Sequence, residues 1–370
     1  MREVYLDNAA TTAVIDCAMA AAENAMQTCY GNAGSVHGKG RDASVILSEC
    51  RKTIAETLKV DASCITFTSG GPDSINTALR GGAFKNKHLG KHIITTAVEH
   101  DATLNTLRAL EQEGFELTIV GPEKDGSVSL DKLVSAIRPD TILMSVMGVC
   151  NETGAILPYA EAAAELKKRN PKALFHLDGV QLYCKREINL KDVDFCSVSA
   201  HKIGGLKGSG ALYIRKGLVI RPLIYGGGQE SGMRSGTEAI PQIAAFAAAA
   251  KERYSHLAES IAHYDSLKNL LLTTLREKGL SFELNTPQNS SGHIINISPC
   301  KLRSEVLIRM LSDKGIFVSG GSACARGKKS HVLSAMKLSP KNIDAALRIS
   351  FCPETSAEDV LAFCDAFGSI

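Results

Sequence analysis

The stretch SVSAHKIGGLKGSG, residues 197–210, sets His201 and Lys202 at the end of an alternating apolar run, just ahead of a glycine-rich segment. A long charged side chain at a strand end ordinarily points into water, yet this lysine is flanked by hydroxyls and small residues. Working outward, apolar runs recur on both sides of it. CITFTSG (64–70), HIITTAVEH (92–100), LTIVG (117–121), TILMSVMGV (141–149), ALFHLDGV (173–180), DFCSVSAHK (194–202) and ALYIRKG (211–217) read as strands. Helical patterns such as DATLNTLRALEQEG (101–114) and YAEAAAELKKR (159–169) lie between several of them. Strands apolar on both faces that alternate with helices predict an α/β fold, a mainly parallel sheet flanked by helices.

A longer helical pattern runs from about Ile240 to Lys278, with a bend expected near Ser255 and His256. Beyond Gly279 the short strands SFELN, GHIINIS, IFVSG and ALRISF mix with helices such as SEVLIRMLSDKG and SAEDVLAFCDAF. A chain of 370 residues exceeds one ordinary core. The division expected is a large domain over 15–254 and a smaller α+β domain made of 1–14 and 255–370. With 44% apolar residues, 22% charged residues and a net charge of +3, nothing points to a nucleic-acid or membrane-surface partner. The opening MREVYLDNAATT lacks the apolar core of a signal peptide, and no apolar run is long enough to span a bilayer, so a cytoplasmic protein is expected. Eleven cysteines form no C-x-x-C pair and no tight cluster with histidine, so no metal site is expected and a reducing compartment suits them.

In open parallel sheets a ligand sits beyond the carboxyl ends of the strands. Here those ends run into Ser69-Gly70-Gly71, Glu99-His100, Cys150-Asn151-Glu152, Asp178 with Gln181, and Ser199 with His201 and Lys202. Each alone is explained by a turn, a helix cap or a satisfied buried group. Together they place an acid, an imidazole, an amide and a primary amine at one crevice. In TSGGPDSINTALRGG (68–82), hydroxyls and two glycines precede Pro72 and a helical run, the pattern of a helix N-terminus that attracts phosphate. It matches neither GxxxxGK[ST] nor GxGxxG. An amine to capture an aldehyde, a carboxylate for a pyridinium, a ring to stack and a phosphate cup are what pyridoxal phosphate requires.

At these residues the chain resembles the cysteine desulfurases of the NifS-like kind, class V aminotransferases of fold-type I. The resemblance starts at YLDNAATT (5–12) and continues through GNAGSVHGKG, TSGGPDSIN, VEHDA, NETG, LDGVQ and SAHKIGGLKG to GGGQESGMRSGTE (226–238), GGSACARGK (320–328) and LRIS (347–350). It implies pyridoxal 5'-phosphate as cofactor, bonded to Lys202, stacked under His100, with Asp178 at the ring nitrogen and Gln181 at the phenolic oxygen. It implies Gly71, Pro72, Ser199 and His201 around the phosphate, and Thr237 reaching the phosphate of a partner subunit in a homodimer. Asn151 and Arg348 would hold the carboxylate of L-cysteine. Lys202 and His100 would move the α-proton, and Cys324 would take the sulfur as a persulfide for an acceptor such as an iron–sulfur scaffold or a tRNA-thiolation enzyme. Arg326, Lys328 and Lys329 predict an electropositive loop around Cys324 that favours the thiolate.

The chain departs from the family pattern in places. Gly71-Pro72-Asp73 stands where Ala/Gly-Thr-Glu is common, and Pro72 offers neither hydroxyl nor N–H. Cys150 occupies a frequent asparagine position, Leu182-Tyr183-Cys184-Lys185 replaces small residues, and Ser330-His331-Val332-Leu333 follows Cys324 early, implying a short tether. The same scaffold serves selenocysteine lyases, cysteine sulfinate desulfinases and transaminases, and a sulfur-relay protein without catalysis could retain it.

Overall fold

A computed structural model describes residues 2–299, 302–320 and 329–370. The chain opens with a two-residue strand, β1 (Val4–Tyr5), and helices α1 (Asp16–Thr28) and α2 (Gly38–Leu58). Then come β2 (Ile65–Thr68), α3 (Gly71–Asn86), β3 (His92–Thr96), α4 (Asp101–Gln112), β4 (Glu116–Val120), α5 (Leu130–Ser135), β5 (Thr141–Met147), α6 (Tyr159–Arg169), β6 (Leu174–Asp178), β7 (Phe195–Ser199) and β8 (Gly210–Ile214). Seven of these strands form one sheet in the order β2-β8-β7-β6-β5-β3-β4. Strands β7, β6, β5, β3 and β4 run parallel, and β8 runs against both of its neighbours.

The alternation of apolar side chains along each strand feeds a core on each face. On one side Ile142, Leu143, Phe195 and Leu212 pack with Ile75 and Leu79 of α3 and Leu107 and Leu110 of α4. On the other, Met144, Val146, Phe175, Cys196, Val198 and Tyr213 meet α1, α2 and α6 and the alanine-rich α7 (Ile240–Ser255). Phe246 of α7 is fully buried and meets Tyr183 edge-on with centroids 6.1 Å apart. Burying a side chain of that size contributes about 1.5–3 kcal/mol. Polar atoms inside the sheet are paired: His176 of β6 bonds Ser145 of β5 at 2.8 Å and Ser197 of β7 at 2.9 Å. Burial pushes this imidazole down to about 3, so it joins three strands as a neutral ring.

After α7 the helix breaks at His256, whose backbone leaves helical geometry, and α8 (Leu257–Glu277) begins, placing the bend where the sequence puts it. The remaining elements are β9 (Glu283–Leu284), β10 (Ile294–Ser298), α9 (Ser304–Asp313), β11 (Ile316–Phe317), α10 (His331–Ala335), α11 (Pro340–Ala345), β12 (Leu347–Ser350) and α12 (Ala357–Gly368). An antiparallel sheet β12-β10-β9 and a parallel pair β1-β11 cover a separate apolar cluster, in which Leu6, Leu271, Ile297, Ile349 and Phe363 are all fully buried. Helix α12 is started by a reciprocal pair, Ser356 and Asp359, that satisfies orphan N–H groups at its first turn.

The sequence reading extends several strands too far. His201 and Lys202 sit in a 3₁₀ turn, Ala200–Lys202, after β7 has ended at Ser199. SFELN and IFVSG contribute only two strand residues each. Helices α1 and α2 were not expected; their small residues, Ala18, Ala22 and Ala25 in α1 and Ala43 and Ala55 in α2, pack the core without a strong apolar stripe.

Candidate active site

The parallel strands end on one side of the sheet, and a cavity of about 220 Å³ opens there. Its lining includes Gly71, Pro72, His100, Asn151, Asp178, Gln181, Ser199, His201, Lys202 and Arg348. Lys202 and Asp178 therefore face the same space. Of the strand-end residues singled out in the sequence, Ser69, Gly70, Glu99, Cys150 and Glu152 stay out of its lining. Glu99 is fully buried and ties the ends of β3 and β5 together by accepting from the Thr96 hydroxyl at 2.8 Å and the Met147 N–H at 2.9 Å. Cys150 is packed with its thiol 4.0 Å from the Val98 carbonyl and does not line the cavity. Glu152 accepts from the hydroxyl of Ser330 at 2.5 Å.

Each lining side chain is held from a different element. Asp178 ends β6, is 4% exposed and accepts the Val180 N–H at 3.0 Å. Burial raises its pKa, while His100 and Lys202 pull it back. A cation set against it would offset that burial. His100 caps α4, its Nδ1 accepting the Ala102 N–H at 3.1 Å. That contact leaves Nε2 to carry the proton of the neutral ring, and burial lowers the pKa so the neutral ring is favoured. Lys202 Nζ donates to the carbonyls of Ala9 at 2.8 Å and Ala10 at 2.7 Å. His201 Nδ1 lies 3.2 Å from the Thr11 hydroxyl, and burial together with nearby Lys202 takes its pKa down to about 4.

At the other end of the cavity Gly70, the residue before α3, has φ 140° and ψ −173°, a conformation open essentially to glycine alone. Ser69 N–H and Oγ both bond Asp73, at 2.9 and 3.0 Å, so the turn is closed from within. Pro72 falls in the first turn of α3, where an N–H has no helical acceptor anyway, and the helix loses one donor and no backbone hydrogen bond. Ser199 Oγ, at the end of β7, is buried and has no hydrogen-bond partner among the described residues. An unpaired buried hydroxyl beside a helix N-terminus fits an anion such as phosphate. Arg348, 1% exposed, donates to the Asn151 carbonyl at 3.0 Å and to Asp7 at 2.7 Å, and its Nε is buried without a partner among the described residues. An acid, a neutral imidazole, an amine, an unpaired hydroxyl and a guanidinium with a donor to spare fit pyridoxal phosphate together with an amino-acid carboxylate.

The class-V aminotransferase model matches residues 4–363. The chain belongs to the class-V aminotransferase family. Among relatives within it, the putative cysteine desulfurase IscS 1 of Bacillus subtilis strain 168 is 37% identical over 97% of this chain and 96% of its own length. The cysteine desulfurase IscS of Methanosarcina thermophila is 38% identical over 97% of this chain and 89% of its own. A solved NifS-like protein superposes with a TM-score of 0.94 at 37% identity, covering 100% of this chain and 99% of that one. A structure of SspA in complex with cysteine gives a TM-score of 0.82 at 31% identity, over 95% of this chain and all of that one.

One expected member of this class-V site stands apart from the cavity. Thr237 is exposed and lines a neighbouring cleft with Ser69 and Ser209. Cys324 lies outside the described residues. Conversely, Asp7, Thr11 and the Ala9 and Ala10 carbonyls touch the site although no role was read for them. Asp7 and Thr11 stand in the YLDNAATT motif, which could have flagged them; backbone acceptors leave no trace in residue type.

Proposed function

We propose that this chain is a pyridoxal-phosphate-dependent L-cysteine desulfurase that yields L-alanine and passes the sulfur through Cys324. The observation that carries the reading is the single cavity shared by Lys202, Asp178, His100 and Arg348. When bound, pyridoxal phosphate supplies an aldehyde for an amine and a protonated ring that draws electrons from the substrate α-carbon. Lys202 is the amine that would hold it, and the free amine would serve as base for the α-proton. Asp178 would pair with the ring nitrogen and favour its protonated form. His100 would stack on the ring, its Nε2–H free of the Nδ1 contact to Ala102. The unpaired Ser199 hydroxyl, His201 and the first turn of α3, entered through Gly71 and Pro72, would hold the phosphate, and Gln181 would offer an amide N–H to the phenolic oxygen. Arg348, helped by Asn151, binds the carboxylate with the bidentate geometry of a guanidinium. The Cys324 thiolate attacks the substrate sulfur, forming an S–S bond as the carbon–sulfur bond breaks and its electron pair stays with the carbon that ends in L-alanine.

The exposed position of Thr237 supports a homodimer in which it is offered to the partner's phosphate site. A sulfur-acceptor protein, an iron–sulfur scaffold or a tRNA-thiolation enzyme, completes the turnover in the cytoplasm, with no nucleic acid bound directly. No described helix is long and apolar enough to cross a membrane. The separate apolar cluster around Leu271 and Ile349 supports the division into 15–254 and 1–14 with 255–370.

The test is the visible absorbance of the purified protein with and without L-cysteine, alongside alanine and sulfide assays under reductant. A band lost in Lys202→Ala, and sulfide lost in Cys324→Ala with the band intact, is the expected pattern. A protein that stays colourless when saturated with pyridoxal phosphate would refute the reading.

A further inference from the structure

The turn after β6 buries a lysine for which the chemistry above has no task. Lys185 is 4% exposed, and among the described residues it has no carboxylate partner. Lys202 and Arg253 add positive potential around it, Arg253 being already paired with Glu354 at 2.6 Å. Burial and these neighbours take the Lys185 amine down to about 7. For stability alone an aliphatic side chain would serve better at such a position.

Its one side-chain hydrogen bond among the described residues shows what it does. Lys185 Nζ donates to Gln181 Oε1 at 2.8 Å, and Gln181 Nε2 donates to the Ala9 carbonyl at 2.8 Å, the same oxygen that accepts from Lys202. The turn is shaped for this return. Leu182 and Tyr183 both donate to Gly179 O, and Cys184 adopts φ 54°, a left-handed conformation that costs a residue with a Cβ roughly 1–2 kcal/mol. A carboxamide has two ends of nearly equal shape and opposite hydrogen-bonding sense. With Oε1 held by Lys185 and one N–H held by Ala9, the remaining N–H is the end Gln181 has left for the cavity it lines. A flipped amide would present an oxygen there instead.

We propose that Lys185 is a positioning residue: by holding Gln181 Oε1 it turns the carboxamide N–H toward the phenolic oxygen of bound pyridoxal phosphate. The role rests on the reading of Gln181 as a cofactor contact. A donor on that oxygen favours its ionised form, so losing the donor moves the pH midpoint of the bound cofactor's visible band upward. Spectral titration of holoenzyme without substrate reads this directly. Lys185→Met is expected to raise the midpoint by about one pH unit, the scale of one hydrogen bond to a charged group. Lys185→Arg, which retains an N–H donor, is expected to hold it. In a Gln181→Leu background, Lys185→Met is expected to add less than about 0.3 unit, because its effect passes through the amide. An equal shift in both backgrounds would mean the lysine charge acts directly and would overturn the role, as would an unmoved midpoint in Lys185→Met. Lys185→Leu takes its place if the methionine variant is recovered unfolded. Absence of a band in the unmutated protein would sink the cofactor reading and this role together, whereas an unmoved midpoint sinks this role alone.

Discussion

Replacing Asp7 by asparagine separates two demands on Arg348. The guanidinium is held by Asp7 at 2.7 Å and the Asn151 carbonyl at 3.0 Å, with side-chain exposures of 2% for Arg348 and 20% for Asp7. Asp7→Asn keeps an oxygen acceptor at the same place and removes its charge. The hydrogen bond then falls from the charged class to the neutral one, a loss of about 1–2 kcal/mol. Over 370 residues the unfolding entropy turns this into a drop in Tm of about 1–3 °C. A carboxylate arriving at Arg348 competes with Asp7 and gains when that charge is gone. Up to about 1.4 kcal/mol, a factor of ten in Kd, is expected to return as tighter binding. The assay is titration of the holoenzyme's visible band with L-alanine and with alaninamide, beside thermal unfolding of the same samples. L-Alanine should bind about tenfold more tightly to Asp7→Asn, alaninamide equally to both proteins, and Tm should fall. Weaker L-alanine binding would show that Asp7 holds Arg348 in its receiving pose, and the competition argument would be wrong.

Other consequences follow from single residues. Ser199→Ala removes a buried hydroxyl that has no partner, so the apoprotein should keep or raise its Tm while its Kd for pyridoxal phosphate, by equilibrium dialysis, rises about tenfold; a loss of stability without a loss of affinity would contradict the phosphate role. Gly70→Ala places a Cβ whose nearest neighbour is Ser199 Oγ at 3.8 Å, so the roughly 1–3 kcal/mol lost in urea unfolding comes from backbone strain alone, and an unchanged midpoint would refute it. Burial raises the Glu99 carboxyl from 4.5 to about 8, so between those values the folded chain holds a proton that the unfolded chain has released. Stability is lost as pH rises through that window. Glu99→Gln, which keeps the acceptor for Thr96 and Met147, should flatten the decline between pH 5 and 8.5 in urea unfolding; parallel curves for the two proteins would show that Glu99 is ionised.

Much of the site was legible because strand ends in a parallel sheet are ordered by topology. Asp178, Ser199 and the residues just past them had to gather wherever β6 and β7 stopped, whatever the loops did. Legibility failed where residue type carries no record of geometry. Glu99 and His100 are adjacent at one strand end, yet only His100 turns toward the cavity, because Glu99 is captured by Thr96 and Met147. The turn Leu182-Tyr183-Cys184-Lys185 stands out in the sequence only as a replacement of small residues. Leu182, Tyr183 and Cys184 pack into the core, Tyr183 bonding Thr57 at 2.5 Å, whereas Lys185 reaches back to a lining side chain. Helices α1 and α2 escaped because alanine packing gives no strong apolar stripe to find.

The segment 7–12 joins the two parts of the cavity. Asp7 holds the guanidinium that would meet the substrate carboxylate, Ala9 and Ala10 hold the amine of Lys202, Ala9 also takes Gln181, Thr11 meets His201, and Thr12 accepts the Gly204 N–H at 2.8 Å. Asn8 and Ala9 bind this segment to Ser350, two residues beyond Arg348. A carboxylate that took Arg348 from Asp7 would therefore act on a segment whose next residues hold the Lys202 amine. That amine gives up two carbonyl acceptors when it moves, and both belong to the same strip of chain. Six residues near the start of the sequence thus link the carboxylate end and the amine end of the site by hydrogen bonds, of which those to the Ala9 and Ala10 carbonyls leave no mark in the side-chain pattern.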